Sequence, residues 1–217
     1  MVTLAVFEFL NELTEWLGEI SGRWWFVLVI FVIALLDSVV PVVPSETTVI
    51  IGGIAAGQGD QLLALVIFMG ALGAFAGDTI AYTLGTRFRP RVVQILGRKH
   101  GDGEAKLSAA AAQIDKRGGL LLITARFIPG GRTLMTLSCG ATNRPYKTWF
   151  LPWDLLAATL WASYAAIIGN FFGAQFEDDH STAFWLAFAT ALGITALIEL
   201  VRWLRHRNNP GPLPLEV

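Results

Sequence analysis

Charged residues are scarce in this sequence, and their scarcity excludes an ordinary soluble domain. Asp, Glu, Lys and Arg make up 15% of the 217 residues, whereas hydrophobic residues make up 54%. A soluble globular domain carries about 25% charged residues. Several uncharged stretches approach or exceed the roughly 20 residues that a membrane-spanning helix needs. We therefore predict an all-α polytopic membrane protein.

The chain also lacks the residues that would indicate a disulfide framework, a metal centre or a familiar class of enzyme. Cys139 is the single cysteine, so no disulfide can form within the chain. The three histidines fall in predicted loops or in the tail, which is unsuited to a shared metal site. No P-loop, HExxH, G-x-S-x-G or dinucleotide-binding fingerprint is present. We expect no enzyme activity, no metal, no cofactor and no nucleic-acid partner.

Four ionisable side chains interrupt two of the apolar stretches. Asp37 and Glu46 lie in the first stretch, and Arg126 and Arg132 lie in the second. A charge at the centre of a membrane helix costs about 2.5–3.5 kcal/mol on insertion scales, so four unpaired charges would cost on the order of 10 kcal/mol. Such groups persist where they pair or face a wet cavity, and they are functional candidates. Two acids in one segment and two bases in the other predict pairing between the segments.

The first charged stretch consists of two half-length arms around a proline break. Each arm holds thirteen uncharged residues, 24–36 and 47–59. As a helix, such an arm is only about 20 Å long, whereas a hydrocarbon core is about 30 Å thick. Prolines between the arms prevent one continuous helix, so we predict a re-entrant hairpin over 24–56. The residues predicted at its tip are Pro41, Pro44 and Ser45.

The placement of basic residues predicts the topology of the remaining chain. Loop 87–117 carries eight of the sixteen Lys and Arg residues, which places it in the cytoplasm by the positive-inside rule. The basic residues after the last apolar stretch place the C-terminus on the same side. The predicted membrane spans are 61–84, 146–173 and 182–204.

Segment 118–143 lies between cytoplasmic residues on both sides, so it must begin and end on one face of the membrane. It is therefore predicted to be a second re-entrant hairpin, which enters from the face opposite to the first. Two opposed hairpins, each followed by a span, form an inverted repeat, as in many secondary transporters. The residues predicted at the second tip are Pro129, Gly130 and Gly131.

The predicted organisation has three parts. Residues 1–23 form an amphipathic N-terminal helix, with apolar residues and glutamates on opposite faces. Residues 24–207 form a single membrane domain, and residues 208–217 form a flexible tail.

Arginines beside acids favour a site where the binding of an anion is coupled to the uptake of protons. A guanidinium stays charged and binds phosphate or carboxylate bidentately, whereas a desolvated carboxyl group takes up a proton. If Asp37 and Glu46 are ionised, they neutralise the arginines. If both acids are protonated, Arg126 and Arg132 can bind an anionic substrate. The alternative is that these charges are structural ion pairs that hold the two hairpins together.

Three further acids interrupt the predicted spans: Asp78, Asp154 and Glu199. Glu199 forms an i, i+3 pair with Arg202 near the cytoplasmic end, and we interpret that pair as structural. Asp78 either relays protons, holds an arginine, or lies near the membrane interface beside the basic loop. We include it with Asp37 and Glu46 as a candidate for proton coupling and ion pairing. Asp154 lies about one turn into its span, and we interpret it as an interfacial residue.

The sequence resembles the DedA family, the bacterial branch of the VTT/SNARE-associated Golgi protein superfamily, over roughly residues 24–204. The resemblance is carried by an acid followed by P-x-x-P-S-E, by G-D-x-x-x-Y and by R-F-I-P-G-G-R. These motifs begin at Asp37, Gly77 and Arg126. At the first position the family more commonly has glutamate. The resemblance implies a fold with two opposed re-entrant hairpins.

The resemblance also implies lipid translocation in the bacterial cytoplasmic (inner) membrane. Bacterial relatives include transporters that return a polyprenyl-phosphate carrier across that membrane by using the proton motive force, and eukaryotic relatives scramble phospholipids. It implies that the essential residues of this chain are Asp37, Glu46, Arg126 and Arg132.

From residues and resemblance together we predict a proton-coupled flippase for a phosphate-bearing lipid, with undecaprenyl phosphate as the first candidate. The expected partners are this lipid and protons, and the sequence leaves open whether the protein forms a homo-oligomer. The alternatives are a proton-coupled antiporter of small cations or osmolytes, a phospholipid scramblase, and a structural membrane protein.

Overall fold

The described part of the chain is helical throughout. The computed structural model describes residues 20–39, 45–97, 102–126, 130–176 and 180–208, and no strand occurs within these ranges. The all-α prediction is therefore confirmed for them. Most of the predicted N-terminal helix, most of the predicted tail, and the tip residues Pro41, Pro44 and Pro129 lie outside the described residues.

Within the described ranges, nine α-helices follow one another along the chain, and one π-helical turn precedes the eighth. The π-helical turn is Tyr146–Phe150. The α-helices are α1 (Phe26–Val39), α2 (Ser45–Gly57), α3 (Leu63–Arg87), α4 (Arg89–Leu96), α5 (Gly103–Arg117), α6 (Leu120–Ala125), α7 (Gly131–Ala141), α8 (Leu151–Gln175) and α9 (His180–Asn208).

In the part of the chain that the structure describes, two helical stretches are long and apolar enough to cross a bilayer. They are α3 and the stretch Tyr146–Gln175, which joins the π-helical turn to α8. Both coincide with predicted spans. The third predicted span, 182–204, lies within α9, but the apolar stretch found among the described residues is only Thr182–Ile194. The third span therefore stays a prediction.

Large apolar side chains are exposed along the long helices. Phe68 on α3 is 59% exposed, and on α8 Leu160 is 48% and Phe171 59% exposed. A water-soluble monomer rarely exposes large contiguous apolar patches. The exposed side chains therefore suit contact with lipid tails.

The chain divides into two compact units, and glycines bring the helices of the first unit close together. A Cβ at Gly53 on α2 would meet the backbone of Ala166 on α8. A Cβ at Gly169 on α8 would meet the backbone of Ile50 on α2. The absence of side chains at these positions lets the two backbones touch. The first unit comprises Met1–Asp37, Val42–Ala74 and Thr159–Gly193.

The second unit contains the short helices α4 to α7. Helices α4 and α5 pack on each other and on α7, while α6 packs on α5 and α7. Helix α7 approaches α3 closely, because Cβ atoms at Gly85 and Gly140 would meet the carbonyl oxygens of Leu137 and Tyr82. This unit comprises Ser38–Pro41, Phe75–Ala158 and Ile194–Val217.

Arg144, between α7 and the π-helical turn, ties that segment to α5. It donates hydrogen bonds to the Asp115 carboxylate at 2.6 Å and to the Ala111 carbonyl at 3.2 Å. The Tyr82 hydroxyl donates to the backbone carbonyl of Arg144. The hydrogen bond from Arg144 holds the pKa of the Asp115 carboxyl group below its ordinary value of 3.8.

The Asp115–Arg144 pair should make stability depend weakly on acid pH. Because the pKa of Asp115 is lowered, its ionised form stabilises the fold above the ordinary value of 3.8, and this contribution is lost as the pH falls through the lowered pKa. We expect Asp115→Asn to be less stable than the wild type at neutral pH, by a small margin because the carboxylate is exposed. The difference should vanish in strong acid. Thermal unfolding in detergent at several pH values measures this, and a difference that grows in acid would contradict it.

Candidate functional site

Arg126 lies directly after α6 and is the centre of a buried charge cluster. Only 2% of its side chain is exposed. Its Nη2 contacts Oδ2 of Asp78 and, at 3.0 Å, Oδ1 of Asp154. Asp78 comes from the middle of α3, and Asp154 comes from the first turn of α8. Arg126 thus draws together acids from two separate helices.

Arg132, near the start of α7, shares one of these acids. Its Nε donates to Oδ1 of Asp78 at 2.9 Å and to Oδ2 at 3.2 Å. Its Nη2 also contacts the hydroxyl of Ser38. The side chain is 11% exposed, so it is less deeply buried than Arg126. Asp78 therefore bridges the two arginines, and both of its oxygens accept hydrogen bonds.

The cluster contains hydrogen-bonding atoms that remain unused. Among the described residues, Nε and Nη1 of Arg126 are buried without a hydrogen-bond partner, and so is Oδ2 of Asp154. Buried polar atoms are nearly always paired in proteins, and an unpaired one costs about 1–3 kcal/mol. A guanidinium has five N–H donors, so Arg126 retains the capacity to bind a further anion or water.

The acids of the first predicted hairpin belong to the other unit. Asp37, near the end of α1, accepts a hydrogen bond from the Ser45 hydroxyl at 2.7 Å. The ends of α1 and α2 therefore meet. Glu46 accepts a hydrogen bond from Nε1 of Trp161 at 3.5 Å, which is long for this kind of bond. The pairing of Asp37 and Glu46 with the arginines stays a prediction.

The structure shows what the two acids that interrupt α3 and α8 contact. Asp78 is 0% exposed and holds both arginines. Asp154 is 1% exposed and paired with Arg126, and its position at the membrane interface stays a prediction. The sequence feature that identified Asp78, a lone acid in a long apolar stretch, also marks Asp154 as a candidate.

The break predicted near the second tip is confirmed at its described residues. Helix α6 ends at Ala125 and α7 begins at Gly131. Gly130, before α7, has a φ of 70°, in the left-handed region that glycine adopts without strain. This geometry places Arg126 and Arg132 on either side of the break.

Comparison with known proteins assigns the chain to a family. The VTT domain profile matches residues 43–171. The inner membrane protein YohD of Escherichia coli is 31% identical over 174 residues, which cover 77% of this chain and 86% of that protein. Protein DedA of Escherichia coli is 22% identical over 211 residues, which cover 91% of this chain and 93% of that protein. An uncharacterized membrane protein of Synechocystis, slr0232, is 25% identical over 198 residues, covering 89% and 90%.

No solved structure matches the chain. YohD and slr0232 are named as membrane proteins, which agrees with the two long apolar helices and their exposed side chains. The matched region includes Asp78, Arg126, Arg132 and Asp154, which together form the arginine cluster. This is a membrane protein, and the chain belongs to the DedA family of VTT-domain proteins.

Proposed function

We propose that this protein translocates a phosphate-bearing lipid across the bacterial cytoplasmic membrane, with undecaprenyl phosphate as the first candidate. The observation that carries the proposal is the buried guanidinium of Arg126, which keeps two unpartnered nitrogens close to a second arginine. Guanidinium groups bind phosphate through several charge-assisted hydrogen bonds at once. The arginines would hold the head group while the prenyl or acyl chain stays in the bilayer.

The lengths of the short helices support two re-entrant hairpins. Helix α6 has 6 residues and α7 has 11, so they extend about 9 Å and about 17 Å. Helices α1 and α2 have 14 and 13 residues and extend about 20 Å each. All four are shorter than a hydrocarbon core of about 30 Å. Because α6 packs on α7, the charged break between them would lie within the membrane.

The contacts inside each unit correspond in a way that supports an inverted repeat. In the first unit, α2 packs on α8 through glycines, and α1 meets α3 where a Cβ at Gly73 would touch the Phe31 backbone. In the second unit, α7 packs on α3 through glycines, and α6 is preceded by Gly119, which lies under the indole of Trp153 on α8. The two sets of contacts correspond if α1 is matched with α6, α2 with α7, and α3 with α8. Transporters built from inverted repeats alternate access to a central site.

Acids in contact with these arginines would couple transport to protons. Asp78 contacts both arginines, while Asp37 and Glu46 are the further acids proposed from the sequence. Protonation of a carboxylate weakens its attraction for a guanidinium. Proton uptake would therefore favour binding of the lipid phosphate, and proton release would favour its departure.

Replacing Arg132 with alanine should reduce translocation by at least about tenfold, because a hydrogen bond to a charged group contributes about 1.5–3 kcal/mol. The measurement is the rate at which undecaprenyl phosphate becomes accessible on the outer leaflet of proteoliposomes. Arg89→Ala is the matched control, since the Arg89 side chain is 50% exposed on α4. Translocation by Arg132→Ala at the wild-type rate would overturn the proposed mechanism.

The same proteoliposomes distinguish a proton-coupled flippase from its alternatives. A pH gradient should change the rate for a coupled flippase, whereas a scramblase should be indifferent to the gradient. An antiporter of small cations would move cations without moving lipid.

A further inference from the structure

The two acids of the arginine cluster are held in unequal ways. Asp78 accepts hydrogen bonds on both oxygens from two guanidinium groups. Asp154 accepts a hydrogen bond from one guanidinium, from Nη2 of Arg126 to Oδ1, and its Oδ2 is buried without a hydrogen-bond partner among the described residues. An ionised carboxylate is stabilised by the donors and cations around it. The negative charge on Asp154 is therefore the less well supported of the two.

Asp78 and Asp154 also contact the same nitrogen of Arg126. Both carboxylates contact Nη2 of Arg126, so their negative charges face each other across a single nitrogen. Two carboxylates that share one site favour uptake of a proton by one of them. The titratable and charged groups that face Asp154 are Asp78 from α3, Arg126 after α6, and Arg132 and Cys139 from α7.

We propose that Asp154 carries the exchangeable proton of this cluster, and that its protonation releases Arg126 to bind the anionic head group. With Asp154 ionised, two guanidiniums face two carboxylates, and the formal charges sum to zero. With Asp154 protonated, two guanidiniums face one carboxylate, and the sum is +1. The phosphate then replaces the Asp154 carboxylate as the partner of Arg126.

The inference rests on the proposed function, because the lipid phosphate is the anion that it invokes. It assigns different tasks to two acids of similar burial. Asp78 holds the two arginines in place, while Asp154 alternates between its charged and neutral forms. Asp154 thus controls whether Arg126 is available to the phosphate. The proton binds to Asp154 when the phosphate binds to Arg126.

The first test is binding of farnesyl phosphate to the purified full-length protein in detergent across a range of pH. Affinity of the wild type should fall by up to about tenfold per pH unit above the titration of Asp154, because one proton is linked to binding. Asp154→Asn mimics the neutral acid, so it should bind tightly and show only the titration of the probe itself. Asp154→Glu should restore the pH dependence. The exposed acid Asp60 provides the control, and Asp60→Asn should behave as the wild type does.

The second test is infrared difference spectroscopy without any lipid, which detects the carbonyl band of a protonated carboxyl group. Acidification protonates exposed acids in both proteins, so the expected result is one band that the wild type shows and Asp154→Asn lacks. A wild type that shows this band but binds no farnesyl phosphate at any pH would remove the proposed function and leave the proton site standing. If Asp154→Asn keeps both the band and the wild-type pH dependence of binding, the assignment to Asp154 is wrong.

Discussion

Arg126→Ala is expected to destabilise the folded protein by about 3–5 kcal/mol, the usual effect of removing one partner of a buried ion pair. The substitution would leave Asp154 with no cation in contact among the described residues, and would leave Asp78 with Arg132 alone. Both acids are almost fully buried, so water cannot replace the lost guanidinium. Denaturant or thermal unfolding in detergent measures the change, and translocation should be lost with it.

A second substitution tests whether stranded charge is the cause. If it is, adding Asp154→Asn to Arg126→Ala should recover at least about 1 kcal/mol of the lost stability, because coupled neighbours are not additive. Arg89→Ala, at an exposed ion pair on α4, should change stability by less than about 1 kcal/mol. An Arg126→Ala protein as stable as Arg89→Ala would show that the buried cluster does not hold the fold together.

Gly169→Ala should be the second most damaging change, although it adds only one methyl group. The new Cβ would meet the carbonyl oxygen of Ile50 on α2 and lie 3.1 Å from the nitrogen of Ile54. These are backbone atoms of a helix, so no side chain can rotate to make room. Overpacking of this kind costs about 1–3 kcal/mol and separates the helices. Thermal unfolding and size-exclusion profiles in detergent report both effects.

Gly193→Ala is the matched control, because a Cβ there would meet nothing within 4 Å. Alanine favours a helix over glycine by up to about 1 kcal/mol, so this variant should be neutral or slightly more stable. Equal stability of the two variants would contradict the close contact between α2 and α8.

The sequence predicts the helical elements more completely than the contacts between them. Length and hydrophobicity were sufficient to place α3 and α8, because a membrane span depends on composition alone. Proline and glycine were sufficient to place the break between α6 and α7, since they cannot continue a helix without cost. The two arginines and Asp78 were identified because an ionisable group in an apolar stretch needs a partner.

The identity of the partners could not be derived in the same way. Arg126 meets one acid that is 48 residues before it and another that is 28 residues after it. Those separations carry no periodicity that a single sequence reveals. The burial of Asp154 and its pairing with Arg126 were not predicted, because its position within a span was considered without the segments that pack beside it. Tertiary packing decides which side of α8 it occupies.

The π-helical turn before α8 bears directly on that choice. It occupies Tyr146–Phe150, just ahead of Asp154, and the hydrogen bonds of a π-helix span five residues instead of the four of an α-helix. Each residue rotates an α-helix by about 100°. The direction in which Asp154 points is therefore a matter of helical phase, fixed by an upstream stretch that contributes no charge to the cluster. A single insertion or deletion in that turn would point the Asp154 carboxylate away from Arg126, although the sequence would still contain every residue of the site.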